Sequence, residues 1–325
     1  MSTTSSSVSD ITRVLTQKNR RFGERVMERL LLIAGISSVL IIALIFLFLF
    51  KEAIFFFQTA KPMDLIGKTV FDPWMEKNVF NMMWQPVSEV PKYSLIPLFC
   101  GSFLVSFPAT FFAAIVGIGC AVYLSEIASP RTREILKPTI ELLAGIPSVV
   151  LGFLMLVVIA SAAQDLFHTK FRLNAFVGAL GVALATLPII VTISEDAMRA
   201  VPKELLNASY ALGATKWQTI FGTVIPAAAS GIAASVILGF GRALGETMVV
   251  LMATGNAAVI TGNIFSSVRT MTATLAAELG EVAQGGEHYY ALFFVGAILF
   301  TLTFILNILS EIIINKTRQK VRMAG

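Results

Sequence analysis

Long apolar runs alternate with shorter polar stretches along the whole chain. The runs cover about Leu30–Phe57, Ser94–Leu124, Leu142–Ala163, Asn174–Ile193, Ala227–Ala253 and Tyr290–Ile314. Roughly 20 apolar residues suffice for an α-helix to cross a hydrocarbon layer about 30 Å thick. An open sheet would leave backbone N–H and C=O groups unpaired in lipid, so the spans are expected to be helical. The pattern predicts an all-α membrane protein with about six transmembrane helices. Residues 1–29 are Ser/Thr-rich and then basic, and read as a partly disordered N-terminal tail. The first helix is expected over 30–57, an external loop over 58–93 with Trp74 and Trp84 at the membrane interface, and a C-terminal tail over 315–325. No cleavable signal peptide is expected, because the run from Leu30 is too long for one and no small-residue cleavage site follows it.

The charges between the runs give the spans a direction. Sixteen Lys and Arg residues fall on the side that carries both termini, against seven on the other. The first set includes Arg13, Lys18, Arg20 and Arg21, then Arg131, Arg133 and Lys137, then Arg199, Lys203 and Lys216. Loops rich in Lys and Arg stay in the cytoplasm, so both termini are expected inside a bacterial inner membrane. An even number of spans agrees with this.

Composition supports the membrane reading and removes other classes. The 325 residues are 56% hydrophobic and 14% charged, where a soluble domain carries about 25% charged residues. The net charge of +5 is spread over several loops, with no basic stripe interleaved with aromatics, so nucleic acid is not an expected partner. Cys100 and Cys120 lie about 30 Å apart if one helix carries both, too far for a disulfide. His168 and His288 read as isolated polar loop residues, and no Cys/His cluster suggests a metal.

Two polar features then point to transport. Between the fourth and fifth runs, Pro202 can open a helix, Glu204 suits its first turn and Gly213 can end it, while Leu205, Ala208 and Leu212 form an apolar stripe. A short amphipathic helix, a glycine turn and a second helix returning to the membrane make a protruding knob. It could dock in a groove on a cytosolic partner or lie in the lipid headgroups. Inside the fifth run stand Arg242 and Glu246, each costing about 2.5–3.5 kcal/mol near a bilayer centre. Four residues apart, they are expected to share a helix face and partly neutralise each other, with Gly239, Gly241 and Gly245 allowing close helix approach. They are either a structural ion pair or the lining of an anion pathway. In the second case Arg242 supplies donors matching an oxyanion, while Glu246 restrains Arg242 or accepts a hydrogen bond from a protonated oxyanion.

No phosphate-binding Gly-x-x-x-x-Gly-Lys-Ser/Thr loop is present, since GATK at Gly213–Lys216 lacks the rest of that pattern. Energy must therefore come from a partner or an ion gradient. No nucleophile–base–acid set appears at catalytic spacing, so an enzyme is not expected.

The knob resembles the cytoplasmic loop of ABC-importer permeases, where Glu-Ala-Ala is followed after three residues by Gly and later by Ile-x-Leu-Pro. Asn207, Ala208 and Ser209 occupy the Glu-Ala-Ala positions, Gly213 and Ala214 follow, and Thr223–Pro226 fill the end. The family's Glu is thus Asn207 and its Ile is Thr223. The stretches LLAGIPSVVLG (Leu142–Gly152), GRALGETMVVLMATGN (Gly241–Asn256) and VRTMTATLAAELG (Val268–Gly280) resemble the PstC family of phosphate-importer permeases. The likeness spans about 94–314, with a coupling region at about 195–225. It implies a type I importer permease that forms half of a phosphate pathway through Arg242 and Glu246. Its coupling residues would be Glu204, Asn207, Ala208, Ser209, Gly213 and Ala214. The implied partners are a PstA-like sister permease, two PstB-like cytosolic ATPases that hold ATP and Mg, and a PstS-like external phosphate-binding protein. This chain itself is expected to bind no cofactor. A permease for phosphonate or sulfate, an ATP-independent anion channel or carrier, and a membrane scaffold for phosphate sensing remain alternatives.

Overall fold

The structure, a computed structural model, describes residues 22–72 and 76–323, with side chains from 26 to 313 except 59 and 72–75. Tail residues 1–21, including Arg13, Lys18, Arg20 and Arg21, and also Trp74, lie outside the described residues. Two compact units are present, Met1–Leu49 and Phe50–Gly325.

Helix α1 runs Phe22–Thr59, starting within the segment expected as tail. In the first unit, its stretch from Leu30 to Leu49 is almost wholly apolar, and Ser37 Oγ donates to Ala34 O at 2.9 Å, which keeps the hydroxyl paired.

The second unit continues with a connecting segment and then the helical bundle. The connecting segment holds two antiparallel ribbons, β1 (Lys68–Asp72) with β2 (Lys77–Asn81) and β3 (Trp84–Gln85) with β4 (Lys92–Tyr93). Next come α2 (Ile96–Val122), α3 (Pro130–Ala144), α4 (Ser148–Leu154), α5 (Ala160–Phe167) and α6 (Ala175–Arg199). The chain ends with α7 (Lys203–Ala211), α8 (Lys216–Thr219), α9 (Ile225–Gly245), α10 (Met248–Ala253), α11 (Met271–Glu278) and α12 (Glu287–Met323). The last of these continues into the segment expected as C-terminal tail. Single π-turns join α4 to α5 and α8 to α9, so six helical stretches among the described residues are long and apolar enough to cross a membrane.

Helix α6 is the hub. It packs against α2 on one side and α9 on the other, and α9 packs in turn on α12. Its sequence, AFVGALGVALATLPIIV, is apolar all round, which suits a helix enclosed by others and not by lipid. Small residues set the spacing. At Gly181 a Cβ would fall 2.6 Å from Val249 Cγ1, and at Gly152 it would fall 3.0 Å from Met248 O, so these glycines admit α10 into the bundle.

Two sequence expectations change here. The apolar run 227–253 is not one helix: α9 ends at Gly245 and α10 begins at Met248. The glycines of that run do not share one packing face. A Cβ on Gly239 would press on Ile190 at 2.7 Å, one on Gly241 would reach Leu306 only at 4.0 Å, and Gly245 faces open space.

Candidate functional site: a charged cavity and a protruding knob

The break between α9 and α10 decides the geometry around the two charged residues. Glu246 has extended backbone (φ −65°, ψ 132°), so its side chain leaves the helical face that carries Arg242. Among the described residues the two form no ion pair, contrary to the expectation from their four-residue spacing. Helix ends take over that role. Arg242 sits in the last turn of α9, where the partial negative charge of the carbonyls favours a cation, and Glu246 precedes the start of α10, where free N–H groups favour a carboxylate. Arg242 Nε donates to Ala185 O at 3.1 Å, and Thr247 N donates to Glu246 Oε1 at 3.2 Å. Neither the Arg242 Nη atoms nor Glu246 Oε2 has a protein hydrogen-bond partner among the described residues.

Both residues line a cavity of about 310 Å³, walled by Ala144 of α3, Ile146 of the turn after it, Ser148 and Leu151 of α4, and Ala185 of α6. An anion entering this open cavity would meet a guanidinium with unused donors and a carboxylate with an unused acceptor.

The knob has the expected helix–glycine–helix form. Pro202 caps α7, Glu204 lies in its first turn, and the chain reverses at Gly213, whose φ of +80° belongs to the left-handed region that favours glycine. Gly213 N donates to Tyr210 O at 2.9 Å, and Ala214 N donates to Ser209 O at 3.2 Å. Thr215 then caps α8 in a reciprocal box with Gln218. Ser209 Oγ and Thr219 Oγ1 meet at 3.0 Å and tie the two arms together. Asn207 and Ala208 are exposed beside Leu205, and Leu212 is 90% exposed, so the apolar stripe is uncovered among the described residues.

The family described as "binding-protein-dependent transport system inner membrane component" matches residues 113–319, more than half the chain. The chain belongs to this family. The permease is 35% identical over 241 residues to the probable ABC transporter permease protein YqgH of Bacillus subtilis, covering 74% of this chain and 77% of that one. It is 35% identical over 242 residues to the phosphate transport system permease protein PstC of Mesorhizobium japonicum, covering 69% and 73%. To the protein of the same name from Haemophilus influenzae it is 31% identical, covering 73% and 80%. Among solved structures, a chain of a bacterial alginate ABC importer superposes with a TM-score of 0.56 at 15% identity over 92% of this chain and 99% of that one. A chain of the MetNI methionine ABC transporter gives 0.51 at 17% identity over 67% and 93%. These two likenesses carry the fold alone. The chain is therefore a multi-pass inner-membrane permease of an ABC importer, a transport subunit and not an enzyme.

Two polar clusters of the permease escaped the sequence reading. On the side of the knob, Glu195 of α6 exposes none of its surface. Arg133 of α3 donates to its Oε1, Lys137 Nζ lies 2.5 Å from its Oε2, and Arg199 lies 3.8 Å from Oε1. Lys137 also reaches Asp196 at 3.1 Å. Burial works against the Lys137 ammonium, but its hydrogen bonds to Glu195 and Asp196 outweigh that and raise its pKa. The signal was there: Arg133 and Lys137 are four apart on α3, and Glu195 stands at the end of an apolar run.

On the other side of the bundle, Glu278 at the end of α11 gathers three donors. Arg269 Nη1 lies at 2.5 Å, His288 Nε2 at 2.9 Å, and Trp84 Nε1 at 3.0 Å. Burial opposes the Glu278 carboxylate, yet the bonds from His288 and Trp84 and the charge of Arg269 hold its pKa below the ordinary value. Trp84 is 3% exposed and packs edge-on to Tyr93 at 5.9 Å, within a core that includes Phe56, Leu98, Met271 and Leu292. Trp84 is thus a core anchor and not an interfacial residue. His288 opens α12 and shares in the cluster, where an isolated loop residue was expected.

Proposed function

We propose that the permease forms half of a pathway for inorganic phosphate, with Arg242 and Glu246 as its polar lining. The observation that carries this reading is the unpaired state of these two residues in one cavity. A guanidinium with free Nη donors matches two anionic oxygens of a phosphate. A carboxylate oxygen accepts from a P–OH group, which phosphate carries near neutral pH. Sulfate has no such proton, and Glu246 would repel it, so the pair selects by rejection as well as attraction. The names of the Mesorhizobium and Haemophilus relatives support the same cargo.

The remaining half of the pathway is assigned to a sister permease of the PstA kind. Two cytosolic ATPases of the PstB kind would take the knob at Glu204, Asn207, Ala208, Ser209, Gly213 and Ala214, and would hold ATP and Mg. An external phosphate-binding protein of the PstS kind would deliver the cargo. Both termini are placed in the cytoplasm, on the loop-charge argument.

The test is phosphate uptake by the assembled complex carrying Arg242→Gln. Uptake is expected to be abolished while the complex still co-purifies with its ATPase and sister permease. Parental uptake by that variant would refute the pathway reading, and loss of the chain from the membrane would favour a packing role for Arg242. Uptake by the purified chain alone in liposomes would contradict the ATPase assignment.

A further inference from the structure

The break that separates Arg242 from Glu246 is held from a distant part of the chain. Thr272 Oγ1 donates to Glu246 O at 2.6 Å, across 26 residues. Both residues are buried, at 4% and 9% exposure. Other buried threonines satisfy their hydroxyls on their own helix: Thr110 on Ser106 O, Thr254 on Val250 O and Thr274 on Thr270 O. Thr272, the second residue of α11, has no carbonyl of its own helix three or four residues behind it, and its hydroxyl reaches the residue whose extended backbone ends α9.

The first turn of α11 is itself fixed. Met271 N donates to Ser102 Oγ of α2 at 2.9 Å, Ala273 N donates to Thr270 Oγ1 at 3.1 Å, and the Thr270 and Thr272 hydroxyls meet at 3.1 Å. At the other end of this eight-residue helix stands Glu278 with Arg269, His288 and Trp84. The helix is therefore anchored at both ends before it reaches Glu246.

We infer that Thr272 is a positioning residue for Glu246: its hydroxyl fixes the extended turn between α9 and α10 and so directs the Glu246 carboxyl into the cavity. The inference rests on the reading of Glu246 as pathway lining. Without the bond, Glu246 O loses a buried partner, and the turn is free to rewind toward α9. Rewinding would bring Glu246 back onto the face of Arg242, where the two neutralise each other and leave no unpaired site for an anion.

The experiment uses the full importer complex with Cys100→Ala, Cys120→Ala and Glu246→Cys, probed with the anionic reagent 2-sulfonatoethyl methanethiosulfonate. Adding Thr272→Val is expected to slow modification of residue 246 by about five- to ten-fold, the scale of one buried hydrogen bond, while Thr272→Ser leaves the rate near the parent's. In the chain with Glu246 intact, Thr272→Val should lower phosphate uptake by a similar factor, and Thr272→Ser should restore it. Equal modification rates in the Thr272→Val and parent chains, or equal losses of uptake with Val and Ser, overturn the inference. The label reports where residue 246 lies and not which anion is carried, so its failure is distinct from a failure of the Arg242→Gln test.

Discussion

Lys137 of α3 and Glu195 of α6 meet at 2.5 Å where two helices join, and this contact makes α3 part of the bundle. Glu195 is wholly buried, so its charge depends on Arg133 and Lys137 to replace water. The last turn of α3 supplies Leu143 and Ala144 to the cavity wall, which links the clamp to the candidate pathway.

Removing Glu195 leaves two cations facing each other without their carboxylate. Breaking a buried pair costs about 3–5 kcal/mol. Glu195→Ala is therefore expected to lower the thermal unfolding midpoint of the detergent-solubilised permease clearly, and adding Lys137→Met should recover part of the loss. An unchanged midpoint for Glu195→Ala would show that the clamp contributes little.

Gly213 makes the turn of the knob with a φ of +80° and donates its N–H to Tyr210 O. Proline fixes φ near −65° and has no N–H, so Gly213→Pro must break the turn. ATPase co-purification and phosphate uptake are expected to fall together in this variant. Gly213→Ala keeps the N–H and pays only for the left-handed backbone, about 1–2 kcal/mol, so it should retain part of both. Normal ATPase binding by Gly213→Pro would mean that the partner does not use this turn.

The lowered pKa of Glu278 sets a pH window for its cluster with Arg269, His288 and Trp84. A carboxylate with a depressed folded pKa contributes stability above its unfolded value, and the contribution is lost as pH falls through the folded value. With Trp74→Phe and Trp217→Phe, Trp84 fluorescence should hold steady down to about pH 5 and change only below the ordinary carboxylate range near 4.3. Glu278→Gln should remove that transition. A transition that persists in Glu278→Gln would contradict the prediction. Lys137 behaves oppositely: its raised pKa makes its contribution present through neutral pH and lost only in strong alkali.

The number of spans, their helical nature and the knob were legible because each depends on local chemistry. A run of some twenty apolar residues must be helical in lipid whatever surrounds it. The knob could be read because Pro202, Glu204 and Gly213 act on their own backbone within one turn.

The relation between Arg242 and Glu246 was not local. Four-residue spacing predicts a shared face only while the helix continues; α9 stops at Gly245, and the carbonyl of Glu246 is taken up by Thr272, 26 residues beyond it. Trp84 and His288 were misjudged for the same reason, since their common partner Glu278 is 194 residues from one and 10 from the other. Sequence by itself determined that this chain spans the membrane, carries a helix–glycine–helix knob and holds two charges within an apolar run. Tertiary structure decided which charges are paired. A buried polar group must find a partner, and that partner is chosen by proximity in space, which the order of residues along the chain does not reveal.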